Sequence, residues 1–135
     1  MTRRRVLVAD DLPPVLATIV TLLEDSFDVV AAVTDGASAL DAWSRLKPDL
    51  AVLDISMPGK SGIEVAAELK RRGERAPVVF LTVHEDTDIL GACRAAGGLG
   101  YVVKARMDAD LIRAMEAALS GQEFTSRFSN EQDYG

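Results

Sequence analysis

The sequence is poor in the features that mark secreted and membrane proteins. A single cysteine, Cys93, rules out an internal disulfide, which favours a reducing compartment and a packing role for this thiol over redox chemistry. No apolar run approaches the roughly 20 residues needed to span a bilayer. The amino terminus also lacks a signal-peptide pattern, because Asp10 and Asp11 interrupt its first apolar segment. We therefore predict a soluble, cytoplasmic protein without a membrane partner.

Aromatic residues and positive charge are also scarce. Aromatic residues make up 5% of a chain that is 48% hydrophobic, which predicts an aliphatic core. Fifteen basic residues stand against 21 acidic ones, and the resulting net charge of −6 argues against direct nucleic-acid binding. The one basic cluster, residues 3–5, is better explained as solvation of the first strand than as a phosphate-binding patch. At 135 residues, these totals predict one domain.

Five short apolar runs alternate with segments of helical spacing. A run without polar alternation, such as residues 50–54, is typical of a strand buried on both faces of a parallel sheet. The pattern therefore predicts a doubly wound, flavodoxin-like α/β fold with a five-stranded parallel sheet in the order 2-1-3-4-5 and five helices. The predicted strands are residues 5–9, 27–33, 50–54, 77–82 and 101–104. The first predicted helix starts at Pro13, and the other four span about 37–46, 62–72, 86–96 and 108–120.

Polar side chains terminate four of the predicted strands. The first strand ends in Asp10 and Asp11, the third in Asp54, the fourth in Thr82 and the fifth in Lys104. Each alone has an ordinary explanation as a turn signal, a cap or a solvated strand end. Because the carboxyl ends of parallel strands share one edge, the four features together predict a single site.

The chemistry of that site follows from its charges. Three neighbouring carboxylates repel one another unless a hard cation such as Mg²⁺ lies among them. A lysine ammonium and a threonine hydroxyl at the same edge would neutralise the oxygens of a phosphoryl group. Asp54 projects singly from the central strand and is therefore the best candidate nucleophile.

The ordered motifs resemble the receiver domain of bacterial two-component response regulators. The residues that carry the resemblance are Asp10, Asp11, Asp54 with Met57, Pro58 and Gly62, then Thr82, and Tyr101 with Lys104. The resemblance covers residues 1–121, and it leaves residues 122–135 as a frayed polar tail or the start of a linker to an output domain absent from this chain. It implies that Asp54 accepts phosphate from a sensor histidine kinase or a small phosphodonor, so that the protein is a switch and not a turnover enzyme.

Further roles are implied by the resemblance alone. Asp11 and Asp54 would bind Mg²⁺ directly, Asp10 would act through water, and the Ser56 carbonyl would complete the protein ligands. Lys104 would pair with the phosphoryl oxygens. Thr82 would hydrogen-bond the phosphate and let Tyr101 rotate from an exposed to a buried position. Ser56 and His84 match positions that tune dephosphorylation, although a solvated loop role is the simpler expectation for His84.

Two positions depart from the common family pattern. Ala105 follows Lys104 where the family usually has a proline with a cis peptide bond, so a trans bond and a strained cis bond are both open. Val83 follows Thr82 where a small residue is usual, and its bulk could restrict Tyr101. These departures keep an alternative open, namely a pseudo-receiver that is switched by partner binding without phosphorylation.

The carboxyl-terminal part resembles the NarL/LuxR-type subgroup, whose members usually carry a helix-turn-helix domain after a linker. We therefore favour a receiver excised from a transcription factor over a stand-alone receiver. By the same resemblance, the fourth helix, fifth strand and fifth helix would form a face for homodimerisation on phosphorylation. A flavin- or nucleotide-binding domain of the same fold is disfavoured, because no glycine-rich phosphate loop follows the first strand.

Overall fold

Strand β3 (Leu50–Asp54) is buried along its whole length in the middle of a parallel sheet. The computed structural model describes residues 3–128, and within this part of the chain the sheet has six strands in the order β2-β1-β3-β4-β5-β6. This confirms the predicted order of the first five strands. The other strands are β1 (Arg5–Ala9), β2 (Asp28–Val33), β4 (Val78–Thr82), β5 (Gly100–Val103) and β6 (Phe124–Thr125).

All five predicted helices are present, with ends within one residue of the predicted ones. Three of the helices begin at a residue whose side chain caps them. Asp35 accepts a hydrogen bond from the Ser38 amide, Asp86 accepts hydrogen bonds from two backbone amides, and Ser61 forms a capping box with Glu64. The helices are α1 (Pro13–Leu23), α2 (Gly36–Leu46), α3 (Gly62–Arg71), α4 (Thr87–Ala95) and α5 (Met107–Leu119), with a 3-10 turn at Lys104–Arg106.

The helices cover the two faces of the sheet and enclose one apolar cluster on each. Helices α2, α3 and α4 contribute to one cluster, which includes Trp43 and Phe80. Helices α1 and α5 contribute to the other, which includes Ile19 and Met115. Cys93 is 1% exposed in the first cluster, as predicted for a packing residue, and burial raises the pKa of its thiol to about 12.

The segment after α5 differs from the predicted frayed tail. Phe124 and Thr125 pair in parallel with β5 as a sixth strand, and Ser126 and Phe128 are buried. Residues 129–135 lie outside the described residues. Among the helices of residues 3–128, none has the length and apolar composition required to cross a membrane.

Candidate functional site

The carboxylates of Asp10, Asp11 and Asp54 meet at one edge of the sheet. Asp54 is the last residue of β3, and Asp10 directly follows β1, the neighbouring strand. One carboxylate oxygen from each of the three residues lies within 4.8 Å of the other two. The topology therefore brings together the three acids that the strand-end pattern singled out.

Lys104 completes this cluster. Its Nζ lies 2.8 Å from Asp10 Oδ2 and 3.3 Å from Asp54 Oδ2, and its side chain is 14% exposed. Burial alone would lower the pKa of Lys104, but the hydrogen bond to Asp10 and the attraction of Asp54 raise it above its usual value. The ammonium is therefore a fixed positive charge between two buried carboxylates.

The surroundings of Asp54 destabilise its ionised form. It is 2% exposed, and burial together with the charge of Asp10 raises its pKa to about 6, although Lys104 opposes this shift. A hydrogen bond with Asp11 acts in the same direction as burial. One ammonium does not fully compensate the acids, so the cluster favours additional positive charge.

The donor set fits a hard divalent cation. Asp10 Oδ1 accepts the Leu12 amide at 3.0 Å, whereas the buried Oδ2 has the Lys104 ammonium at 2.8 Å as its partner and no further hydrogen bond among the described residues. Clustered carboxylate oxygens are ligands that Mg²⁺ prefers. The Ser56 side chain is exposed, and the Ser56 amide donates to Asp54 Oδ1 at 3.2 Å. The metal-ligand role of its carbonyl stays a prediction.

Gly62 allows the start of α3 to approach the end of β3. A Cβ atom at this position would lie 2.2 Å from the Asp54 carbonyl oxygen, which is far inside van der Waals contact. The Gly62 amide also donates to the Ile55 carbonyl at 2.9 Å. Glycine is therefore required here because backbone, and not a flexible side chain, occupies the space.

Thr82, His84 and Tyr101 form a hydrogen-bonded group beside the acidic cluster. Thr82 ends β4, next to β3, and its Oγ1 accepts the His84 amide at 2.9 Å. Tyr101 is 1% exposed, and its hydroxyl donates to the His84 carbonyl at 2.7 Å. Tyr101 thus occupies the inward position, while the His84 side chain is exposed.

The two departures from the family pattern do not disturb this arrangement. The Val83 side chain is 68% exposed and leaves the inward position of Tyr101 free. The Lys104–Ala105 peptide bond is trans, as are the other peptide bonds of the described residues. Lys104 nevertheless reaches both Asp10 and Asp54.

A second buried polar group, which the sequence did not predict, lies next to strand β6. Asp110 is 2% exposed and accepts hydrogen bonds from Ser126 at 2.7 Å and Arg106 at 3.0 Å. The sequence does carry one sign of this packing: two of its four phenylalanines, Phe124 and Phe128, fall in the segment that we expected to fray. Large apolar side chains there indicate a segment that packs against the domain.

Comparison with known proteins agrees with the fold. Residues 6–116 match the response regulator receiver domain family. The transcriptional regulatory protein PdtaR of Mycobacterium tuberculosis is 36% identical over 118 residues, which are 87% of this chain and 57% of that protein. This chain thus spans less than two thirds of that relative's length.

Two solved structures are similar over most of the chain. A LuxR-family two-component response regulator from Aurantimonas sp. SI85-9A1 has a TM-score of 0.86 and 30% identity, covering 91% of this chain and 89% of that one. The isolated receiver domain of RcsB from Salmonella enterica serovar Typhimurium, solved with the phosphomimetic BeF3−, has a TM-score of 0.84 and 29% identity. These matches cover 93% of this chain and 95% of the RcsB domain.

The chain belongs to the response regulator receiver domain family, and its relatives include LuxR- and NarL-type regulators. The resemblance drawn from the strand-end motifs is confirmed.

Proposed function

We propose that the chain is a phosphoacceptor switch in which Asp54 receives a phosphoryl group from a sensor histidine kinase. The observation that carries the proposal is the position of Asp54, a buried carboxylate that pairs with Lys104 and clusters with Asp10 and Asp11. Its pKa of about 6 leaves the carboxylate largely ionised at neutral pH, as a nucleophile requires. Membership of the receiver family supports the same assignment.

The transfer step uses the Asp54 carboxylate as the nucleophile. One of its oxygens attacks phosphorus, the bond from phosphorus to the histidine nitrogen of the donor breaks, and the imidazole leaves with the bonding electron pair. The product is an acyl phosphate on Asp54. Lys104 stays close enough to pair with a phosphoryl oxygen as charge develops there.

Asp11 and Asp54 would hold Mg²⁺ directly, Asp10 would act through a water molecule, and the Ser56 carbonyl would be a further ligand. When bound, Mg²⁺ supplies positive charge that offsets the repulsion among the acids and the phosphoryl oxygens. The buried Oδ2 of Asp10, which has no partner besides the Lys104 ammonium in residues 3–128, supports this assignment.

Thr82 and Tyr101 would report phosphorylation to the surface. The Thr82 hydroxyl accepts the His84 amide, and the His84 carbonyl accepts the Tyr101 hydroxyl, so the loop after β4 connects the two side chains. A phosphate that draws Thr82 toward Asp54 would favour the loop position that receives Tyr101 inward. Exposed Ser56 and His84 lie two residues beyond Asp54 and Thr82, where they would tune dephosphorylation.

The output is proposed to be transcriptional and to require parts beyond this chain. PdtaR is a transcriptional regulatory protein, and another structural neighbour is an RcsB–DNA complex. Neither the net charge of −6 nor the fold suggests that this domain itself binds DNA. A homodimer through α4, β5 and α5 is the expected form of the signal.

Phosphorylation can be tested with acetyl phosphate and Mg²⁺, followed by intact-mass measurement. We expect the wild-type chain to gain one phosphoryl group and the Asp54→Asn variant to gain none. Asp41→Asn is the matched control, because Asp41 is an exposed carboxylate of α2 that pairs with Arg45 and is not part of the acidic cluster, and it should react like the wild type. A wild-type chain that stays unmodified, or an Asp54→Asn variant that reacts normally, would refute the proposal.

A further inference from the structure

The segment after α5 runs along the outer edge of β5 and pairs with it in parallel. We call residues 124–128 the C-terminal strap. The Phe124 amide donates to the Leu99 carbonyl at 2.9 Å, and the Ser126 amide donates to the Tyr101 carbonyl at 2.8 Å. The strap is therefore bonded to the backbone of the proposed switch residue itself.

A buried polar group fixes the middle of the strap. Ser126 Oγ donates to Asp110 Oδ2 at 2.7 Å and accepts the Val103 amide at 3.2 Å. Ser126 and Asp110 are each 2% exposed, and Arg106 also donates to this carboxylate. A buried carboxylate with charge-assisted hydrogen bonds holds its partners more firmly than a surface contact would.

Both neighbouring helices contact the strap. The guanidinium of Arg113 in α5 lies over the Phe124 ring, 5.4 Å from its centroid. Arg94 in α4 donates to Thr125 Oγ1 at 3.3 Å. The alternation of a strand sends Phe124 toward α5 and Thr125 toward α4, so the strap bridges the two helices.

The end of the strap packs on the proposed switch residue. The rings of Phe128 and Tyr101 have centroids 5.9 Å apart at an angle of 50°, and both side chains are buried in the cluster beneath α4. An aromatic pair of this geometry is stabilising beyond the area it buries. Outward rotation of Tyr101 would give up this contact as well as the hydrogen bond to His84.

We propose that the C-terminal strap is a positive effector of the switch, because its docked position stabilises Tyr101 in the inward orientation. The proposal rests on the proposed function, in which phosphorylation of Asp54 favours the same orientation. Coupling between two sites is reciprocal, so phosphorylation must then tighten the strap to the degree that the strap favours phosphorylation. The signal would reach the chain beyond residue 128 directly, and a dimer on this face would include strap residues.

Hydrogen exchange of the 135-residue chain, measured with and without BeF3− and Mg²⁺, tests this coupling. We expect BeF3− to slow exchange of the Phe124 and Ser126 amides about fivefold, a typical coupling between two sites. Phe128→Ala should abolish this slowing and weaken BeF3− binding by a similar factor. Phe128→Leu, which keeps an apolar contact, should restore part of it, and Gln122→Ala, an exposed change outside the strap, should behave like the wild type.

The possible outcomes distinguish a failure of the strap proposal from a failure of the proposed function. If BeF3− binds, as followed by fluorine NMR, but exchange at Phe124 and Ser126 does not change, the strap proposal is overturned and the function stands. If BeF3− does not bind, the proposed function fails. The strap is then judged by whether Phe128→Ala or Ser126→Ala accelerates exchange of the His84–Tyr101 region without any ligand. Unchanged exchange in both variants would refute the proposal that the strap stabilises Tyr101.

Discussion

The Nζ atom of Lys104 lies 3.3 Å from Oδ2 of Asp54, so a strand-end lysine and a strand-end carboxylate form a buried ion pair across the sheet edge. The pair does not neutralise the site, because Asp10 shares the same ammonium at 2.8 Å. Excess negative charge is thus built into the fold, and its effect on stability can be measured.

Removing the charge of Asp54 should stabilise the protein in the absence of metal. Its pKa rises from an ordinary value of 3.8 to about 6 on folding, so the folded state binds the proton more tightly. Stability from this group is present below the unfolded pKa and is lost as the pH rises through about 6. Urea unfolding in EDTA at pH 7.5 should find Asp54→Asn more stable than the wild type by on the order of 2 kcal/mol.

The difference between the two proteins should shrink as the pH falls toward 4, where Asp54 is protonated in the folded wild type. Asp41→Asn, at an exposed ion pair, should change stability little at either pH. An Asp54→Asn variant that is less stable than the wild type at pH 7.5 would contradict the electrostatic account.

Lys104→Met should destabilise the metal-free protein and increase its response to Mg²⁺. The substitution leaves two buried carboxylates without their ammonium, which should cost about 3 kcal/mol because the lysine is slightly exposed. It also removes the positive charge that competes with a bound cation. Thermal unfolding against MgCl2 concentration should therefore give a larger upward shift for the variant than for the wild type.

Lys60→Met, at an exposed lysine, is the matched control and should respond to Mg²⁺ like the wild type. A Lys104→Met variant without any Mg²⁺ response would show that the acids do not hold the metal by themselves.

The residues at the strand ends could be predicted because two periodic patterns determine their positions. Five apolar strands separated by helices predict a parallel sheet with right-handed crossovers, and this topology places Asp10, Asp54 and Lys104 at one edge. The parallel register of β1, β3, β4 and β5 brings the ends of these strands together. The family and the fold were therefore accessible from the sequence, whereas the roles of the site residues, including Ser56 and His84, stay predictions.

Tertiary contacts determine what the sequence could not predict. The inward position of Tyr101 depends on a carbonyl in another loop, and the exposure of Val83 depends on the path of that loop. Strand β6 has two residues, too few for an alternation pattern to be recognised. Asp110 looks like an ordinary acidic residue in the first turn of α5, and only the returning Ser126 shows that it is buried.

Gly62→Ala should destabilise the protein and weaken the site. The added Cβ would meet the Asp54 carbonyl oxygen at 2.2 Å, so the start of α3 must shift away from β3. We expect a loss of about 1–3 kcal/mol in the free energy of unfolding, as for overpacked cores, and slower phosphorylation by acetyl phosphate.

Gly91→Ala provides the matched control for this prediction. Gly91 lies within α4, and its added Cβ would meet no atom outside the backbone of its own helix within 4 Å, so alanine should stabilise the protein by about 0.5–1 kcal/mol through helix propensity. Equal effects of the two substitutions would refute the close-packing explanation.

Asp110→Asn should show the opposite pH dependence to Asp54→Asn, although both carboxylates are 2% exposed. Burial opposes ionisation of Asp110, but hydrogen bonds from Ser126 and Arg106 outweigh it and hold its pKa below the ordinary value. Stability from such a group is present above the unfolded pKa and is lost as the pH falls through the folded value. The variant should therefore lose on the order of 2 kcal/mol at pH 7.

Parallel urea titrations of wild type and variant between pH 7 and pH 3 should find this deficit shrinking as acid protonates the wild-type carboxylate. A deficit that grows toward low pH would mean that Asp110 is held neutral and that the anchor of the C-terminal strap is not a carboxylate.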